Sequence, residues 1–206
     1  MGGFTDGSRT TFISVDKNHP LRLKEMASIR VENMVSSTAL AKKLDLQSIA
    51  LSLENADYDP ERFPGLIYRM KEPKTAILLF RSGKAVCTGA KDMDQVKEAI
   101  AKVSAKLGEK DVEVFADPVI EVQNMVASAD LEREINLNAM AITMGLEKVE
   151  YEPEQFPGLV YRMASPKVVL LVFSSGKLVC TGAKTLEDVE RAVAIISDDL
   201  RNAGII

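Results

Sequence analysis

Apolar positions along this chain recur with period two in short runs and at helical spacing in longer ones. Residues 29–36 alternate and carry β-branched side chains, which predicts a strand. In DLQSIALSL (45–53), Ile49, Ala50 and Leu53 fall at helical spacing, with Asp45 as N-cap; Asn136 takes that position in a second, similar stretch. Tyr58 and Tyr151 open the segments YDPERFPG and YEPEQFPG, whose two prolines and one glycine apiece predict strand ends around an exposed loop. LIYRM, TAILLF and KAVCTGA follow as three short strands separated by EP and SG turns. A helix closes the series. Its apolar face is Val96, Ala99, Ile100, Val103 and Leu107, matched later by Val189, Ala192, Val193, Ile196 and Leu200. Asp92 with Gln95, and Thr185 with Asp188, approximate capping boxes.

The series occurs twice. SGKAVCTGAK (82–91) matches SGKLVCTGAK (175–184) in nine of ten positions, and PGLIYRM (64–70) matches PGLVYRM (157–163) in six of seven, both offset by 93. IRVENMV (29–35) matches IEVQNMV (120–126) with an offset of 91, so the second copy gains two residues between Met144 and Tyr151. The expected organisation is an N-terminal extension 1–28, a repeat 29–107, a linker 108–119 and a repeat 120–202. Each repeat reads β-α-β-β-β-β-α. Most connections are too short for parallel crossovers, so the strands are expected to be antiparallel. Two copies are too few for a solenoid, and a pseudo-symmetric pair sharing one sheet or one interface is expected.

Helices with a single apolar face cover one side of such a sheet, and strand alternation says what remains on the other. Asn33, Val35, Leu78, Phe80, Val86 and Thr88 can share that side, opposite Met34 and Cys87; Asn124, Val126, Leu171, Phe173, Val179 and Thr181 do so in the second copy. This set is apolar with a few amides and hydroxyls and holds no carboxylate. Pattern alone leaves open a second buried layer, a lipid site or the floor of a groove.

Charge narrows the choice. Residues 62–91 carry a net +6 and residues 155–184 a net +4 within a chain of net charge −4, so the remainder carries −14. Cations concentrated along the strands suit a sheet that tracks phosphates. No apolar run approaches the ~20 residues of a membrane span, and MGGFTDGSRTTF lacks the regions of a secretory signal, so an intracellular protein is expected. Cys87 and Cys180 stand 93 residues apart and the one histidine, His19, is in the N-terminal segment, so neither metal nor cofactor is expected. The repeats contain no histidine and their acids fall on helices and loops, which argues against an enzyme; a binding module for a hydrophobic ligand or a protein is the other rival.

The paired motifs QNMV, YEPEQFPGLVYRM and SGKLVCTGAK, each with its partner in the other half, resemble the TATA-box-binding proteins over residues 29–202. With FPGL in both copies, the halves are more alike than in typical eukaryotic members, and the chain is more similar to archaeal ones. The resemblance implies an α+β saddle: one antiparallel sheet of about ten strands from two tandem repeats, with four helices on the convex side. It implies a general transcription initiation factor that binds the TATA box in the minor groove, kinks the DNA and recruits transcription factor B and, through it, RNA polymerase. By the same resemblance Phe63 with Phe80 and Phe156 with Phe173 are wedging pairs. Asn33, Asn124, Thr88 and Thr181 are polar readers of base edges. Val35, Val126, Leu78, Leu171, Val86 and Val179 form the apolar floor. Arg62, Arg69, Lys84, Arg162 and Lys177 face phosphates, and the acidic second loop EKVEYEPEQF, where Glu147, Glu150, Glu152 and Glu154 lie close together, docks the protein partner through Glu152 and Glu154. Amides and hydroxyls suit a groove whose A·T edges offer only acceptors, and an apolar floor leaves the guanine amino group without a partner. Residues 1–25 show no sustained periodicity and are expected to be dispensable, or to precede a true start at Met26.

Overall fold

The computed structural model describes residues 27–145 and 147–206. The expectations for residues 1–25 and a start at Met26 lie outside the described residues. The first series of elements is β1 (Ser28–Ala39), α1 (Leu46–Ser52), β2 (Ala56–Asp57), β3 (Leu66–Met70), β4 (Thr75–Leu79), β5 (Lys84–Ala90) and α2 (Met93–Gly108). The second is β6 (Glu121–Asp130), α3 (Leu137–Met144), β7 (Val149–Glu150), β8 (Leu159–Met163), β9 (Val168–Val172), β10 (Lys177–Ala183) and α4 (Leu186–Asn202). The order β-α-β-β-β-β-α therefore appears twice. Of the two extra residues in the second series, one lengthens α3 relative to α1 and one lies in the connection to β7.

Ten strands belong to one sheet, in the order β2-β3-β4-β5-β1-β6-β10-β9-β8-β7. The chain divides into two compact units within β6: one is Val31–Val126, the other Ala127–Ile206 with the start of β1. In the first unit β2, β3, β4, β5 and β1 pair antiparallel in turn, with Ile67 opposite Leu78 and Leu78 opposite Val86. The second unit repeats this register, with Val160 opposite Leu171 and Leu171 opposite Val179.

The helices begin where the sequence places caps. Asp45 accepts hydrogen bonds from the Gln47 and Ser48 amides, Asn136 from Ala139, Asp92 from Gln95 and Thr185 from Asp188. The five predicted apolar residues of α2 are all buried, as are those of α4. Helix α2 packs on β4 and β5, and α4 packs on β10. Beneath them lie Ile77, Leu79, Ala85 and Cys87 in one unit, and Leu170, Val172, Leu178 and Cys180 in the other. Fully burying the leucine, isoleucine and valine side chains among them contributes about 1.5–3 kcal/mol each. Between α2 and β6 the chain has neither helix nor strand, but it is tied down: the Phe115 amide donates to the Leu40 carbonyl at 2.7 Å and the Thr38 hydroxyl to the Val119 carbonyl at 2.7 Å.

Each β4–β5 connection turns on a left-handed glycine. The Phe80 amide donates to the Lys84 carbonyl and the Gly83 amide to the Phe80 carbonyl, with Gly83 at φ +83°. A Cβ there would collide with the Ala41 carbonyl; Gly176 (φ +86°) meets the Arg133 carbonyl in the same way. This three-residue hairpin leaves Phe80 and Phe173 at the very end of their strands.

Burial pushes the thiols of Cys87 and Cys180 up to about 11. Unfolded thiols ionise near the usual value of about 9. The unfolded chain thus sheds these protons first, and stability falls as pH rises from 9 toward 11. The urea midpoint is expected to be lower at pH 10 than at pH 8, and both thiols to resist alkylation in the folded protein at pH 8.

Candidate nucleic-acid interface

Alternation along the strands leaves one face of each unit without helices. In the first unit that face carries Asn33, Val35, Leu78, Val86 and Thr88, joined by Asn124 and Val126 from the first half of β6, all partly exposed. In the second it carries Leu171, Val179 and Thr181, also partly exposed. Ile67 and Val160 belong to the same faces, directly opposite Leu78 and Leu171. Sequence reasoning omitted this pair, although alternation within LIYRM and LVYRM sets them apart from the buried Tyr68 and Tyr161.

Asn33 is held by an irregularity in the β1–β5 ladder. Met34 lies opposite Ala90 but Ser36 opposite Cys87, so β5 carries one extra residue around Thr88 and Gly89. Gly89, at φ +94°, turns its amide out of the ladder and donates to Asn33 Oδ1 at 2.7 Å. The Asn33 Nδ2 in turn lies 3.4 Å from the Thr88 hydroxyl. A bulge of this kind re-aims side chains. Here it occupies the amide oxygen with a backbone donor and sets the –NH2 beside the Thr88 hydroxyl, so the outward polarity of the pair is that of donors.

The phenylalanines stand in pairs, one pair per unit. Phe63 and Phe80 have ring centroids 5.9 Å apart at 68°, and Phe156 and Phe173 repeat this at 5.9 Å and 67°. Their loops hold them there. The Phe63 amide donates to the Asp59 carbonyl and the Phe156 amide to the Glu152 carbonyl, closing a tight turn after each proline. Phe156 is 38% exposed and the other three are partly buried.

Two glycines that the sequence marks only as turn residues set the spacing. A Cβ on Gly65 would lie 2.6 Å from Phe63 and 3.0 Å from Phe80; on Gly158 it would lie 2.7 Å from Phe156 and 3.0 Å from Phe173. Only a residue without a Cβ lets each loop ring settle beside its strand partner. Gly158→Ala is therefore expected to splay the Phe156–Phe173 pair, which a changed aromatic side-chain NMR signature would reveal, with little change in thermal midpoint.

Cations border these faces. Arg62, Arg69, Lys84, Arg162 and Lys177 are all exposed. Lys84 and Lys177 start β5 and β10 in alternation with Val86 and Val179, and Arg69 and Arg162 alternate with Ile67 and Val160. The expectation of a face without carboxylates needs correction at its edges. Asp57 lies opposite Ile67 and Glu150 opposite Val160, so both acids point to the open side. The sequence places Glu150 in the acidic loop, whereas in the structure it sits on β7 and its carboxylate binds Arg162 at 3.1 Å. Glu152 and Glu154 lie on the loop beyond and are exposed. Among the described residues no cluster of three or more His, Cys, Asp or Glu is placed to hold a metal, and no helix is long and apolar enough to cross a membrane.

An internally duplicated α+β chain with four helices on an antiparallel ten-stranded sheet, each unit leaving one face open, defines a narrow structural class. The family model for transcription factor TFIID (or TATA-binding protein, TBP) matches residues 28–110 and again 119–203, and the chain belongs to this family. It is 58% identical over 184 residues to a TATA-box-binding protein of Picrophilus torridus, covering 89% of this chain and all of the relative. It is 56% identical over the same span to that of Thermoplasma acidophilum. A solved structure, Methanococcus jannaschii TBP, superposes with a TM-score of 0.79 at 49% identity, covering 84% of this chain and 98% of the other.

Proposed function

We propose that this chain is an intracellular general transcription factor that binds A·T-rich TATA elements through the minor groove, using the open sheet faces. The observation that carries the reading is a partly exposed apolar strip on each unit, bordered by cations and ended by a phenylalanine pair. Asn33, Thr88, Asn124 and Thr181 meet base-edge acceptors. Val35, Val86, Leu78, Val126, Val179 and Leu171 press on the groove floor, where a guanine amino group would be buried without a partner. Phe63 with Phe80, and Phe156 with Phe173, wedge into base steps, and Arg62, Arg69, Lys84, Arg162 and Lys177 hold phosphates. Bending costs about 1–6 kcal/mol and unstacking a few kcal/mol per step. Four rings at about 1.5–3 kcal/mol each are of the size needed to offset that, so net affinity comes from the floor and the cations. The repeats 29–107 and 120–202 both contribute residues to these faces. No catalytic step is assigned to the chain. The bound complex is read by transcription factor B, which brings in RNA polymerase.

The test is an electrophoretic shift with a bending readout on a TATA duplex, against a G·C-rich duplex of equal length. A bent complex on the first alone is expected. Equal binding to both, or none, would replace this reading with that of a module for a hydrophobic ligand or protein. Binding is also expected to weaken with salt, with log affinity falling by about 0.9 per log salt for each phosphate neutralised. Lys84→Ala is expected to flatten that slope by about one such increment while leaving sequence preference alone. An unchanged slope removes Lys84 from the phosphate contacts.

A further inference from the structure

The repeats place an acid and an arginine at matching positions on their outer edges, and only one of the two pairs is closed. Asp57 and Arg69 correspond to Glu150 and Arg162 at the offset of 93. The registers are the same: Asp57 opposite Ile67 and Glu150 opposite Val160, Arg69 opposite Ala76 and Arg162 opposite Val169. The backbones agree too, since the Arg69 amide donates to the Asn55 carbonyl and the Arg162 amide to the Lys148 carbonyl. The side chains differ by one methylene. Glu150 reaches Arg162 and takes three hydrogen bonds from it, one from Nε at 3.2 Å and two from Nη2 at 3.1 and 3.3 Å. Asp57 is shorter, and among the described residues Arg69 forms no ion pair.

We propose that Glu150 is an internal competitor of phosphate for Arg162, so that the second repeat closes its edge on DNA only by exchanging one anion for another, while the first repeat presents Arg69 ready. This rests on the minor-groove reading above. The geometry suits an exchange rather than a permanent bond. Both partners are more than half exposed, Arg162 at 57% and Glu150 at 64%, so the pair is screened and is opened at small cost. The forked contact from Nε and Nη2 is also the one a guanidinium offers to two phosphate oxygens, so Arg162 cannot give both anions its best geometry at once. On exchange the Glu150 carboxylate is left beside a polyanion. Two repeats of matching register thereby become unequal toward a nearly symmetric groove.

The experiment is a salt series of affinities on the TATA duplex for the full chain, Glu150→Gln, Arg162→Ala and the double variant, with Asp57→Asn and Arg69→Ala as the matched set. An exposed ion pair shifts an equilibrium by up to about fivefold, so Glu150→Gln is expected to tighten binding by roughly that factor at low salt. The gain is expected to fall to less than half in the Arg162→Ala background. Asp57→Asn is expected to give the same, smaller gain whether or not Arg69 is present. Thermal midpoints of all variants should stay together, because these side chains are exposed. An equal gain from Glu150→Gln in both backgrounds would mean simple long-range repulsion and overturns the proposal while leaving the DNA reading intact; no gain at all does the same. Failure of the unsubstituted chain to shift the duplex would overturn both.

Discussion

Replacing Phe156 and Phe173 together by alanine is expected to lower affinity for a TATA duplex by about two orders of magnitude or more and to remove the bend at that half-site, with the fold intact. The two readouts separate because of where the rings sit. They meet edge to face at 5.9 Å, and Phe173, two residues beyond Leu171, falls on the side of the sheet that the helices leave uncovered. Beyond the area they bury, such a ring pair adds about 0.5–1.5 kcal/mol, and rings left partly exposed in the free protein contribute less than fully buried ones. Buried between separated base pairs, each ring instead contributes about 1.5–3 kcal/mol, and the pair about twice that. Leu170, wholly buried on the opposite side of β9, is the control: Leu170→Ala is expected to cost about 2–5 kcal/mol of stability through the cavity it leaves. Circular dichroism melts and a fluorescence-transfer measurement of DNA end-to-end distance distinguish the cases. A midpoint for Phe173→Ala that falls as far as that of Leu170→Ala would place Phe173 in the core and withdraw it from the wedge.

How much of this could be read from sequence depends on the range of the interaction that fixes each feature. Strand alternation is local, so the division between Val86 and Thr88 on one side and Cys87 on the other was legible, and the burial pattern follows it. The caps at Asp45, Asp92, Asn136 and Thr185 were legible for the same reason, because a side chain bonding an amide two or three residues ahead needs nothing from elsewhere. The bond from Gly89 to Asn33 was not. It joins residues 56 apart and depends on one extra residue in β5, which no periodicity in β1 announces. The edge strands β2 and β7 are two residues long and exist only by pairing with β3 and β8, so Glu150 read as part of an acidic loop. Its ion pair with Arg162 follows from that pairing. Gly65 and Gly158 were visible in the FPG motifs as turn residues, but the contact that excludes a Cβ comes from phenylalanines on two different elements.

The second expected result concerns the protein partner and turns on a difference between the two loops. In the first loop Asp59 Oδ1 accepts from the Glu61 amide at 3.1 Å, so that carboxylate is spent on shaping its own turn. Both loops share the backbone bonds, the Glu152 carbonyl accepting from the Gln155 and Phe156 amides at 2.9 and 3.0 Å as the Asp59 carbonyl does from Arg62 and Phe63, but among the described residues the second loop adds no side-chain bond to them. The Glu152 and Glu154 side chains are thus exposed and uncommitted to the loop's geometry, and Arg62 of the first loop is replaced by Gln155. A groove whose A·T pattern reads alike in both directions cannot by itself orient the complex, so on the function proposed above direction falls to a partner that distinguishes the halves. Two free carboxylates suit a basic docking surface, and setting like charges against it costs several kcal/mol. The double substitution Glu152→Lys, Glu154→Lys is therefore expected to weaken the ternary complex with transcription factor B by about a hundredfold or more, while binary DNA binding stays equal or tightens slightly. The matched change in the first loop, Asp59→Lys with Glu61→Lys, is expected to leave ternary assembly in place. Should the ternary complex survive reversal of the second loop, or be lost equally by reversal of the first, the partner docks elsewhere on the chain.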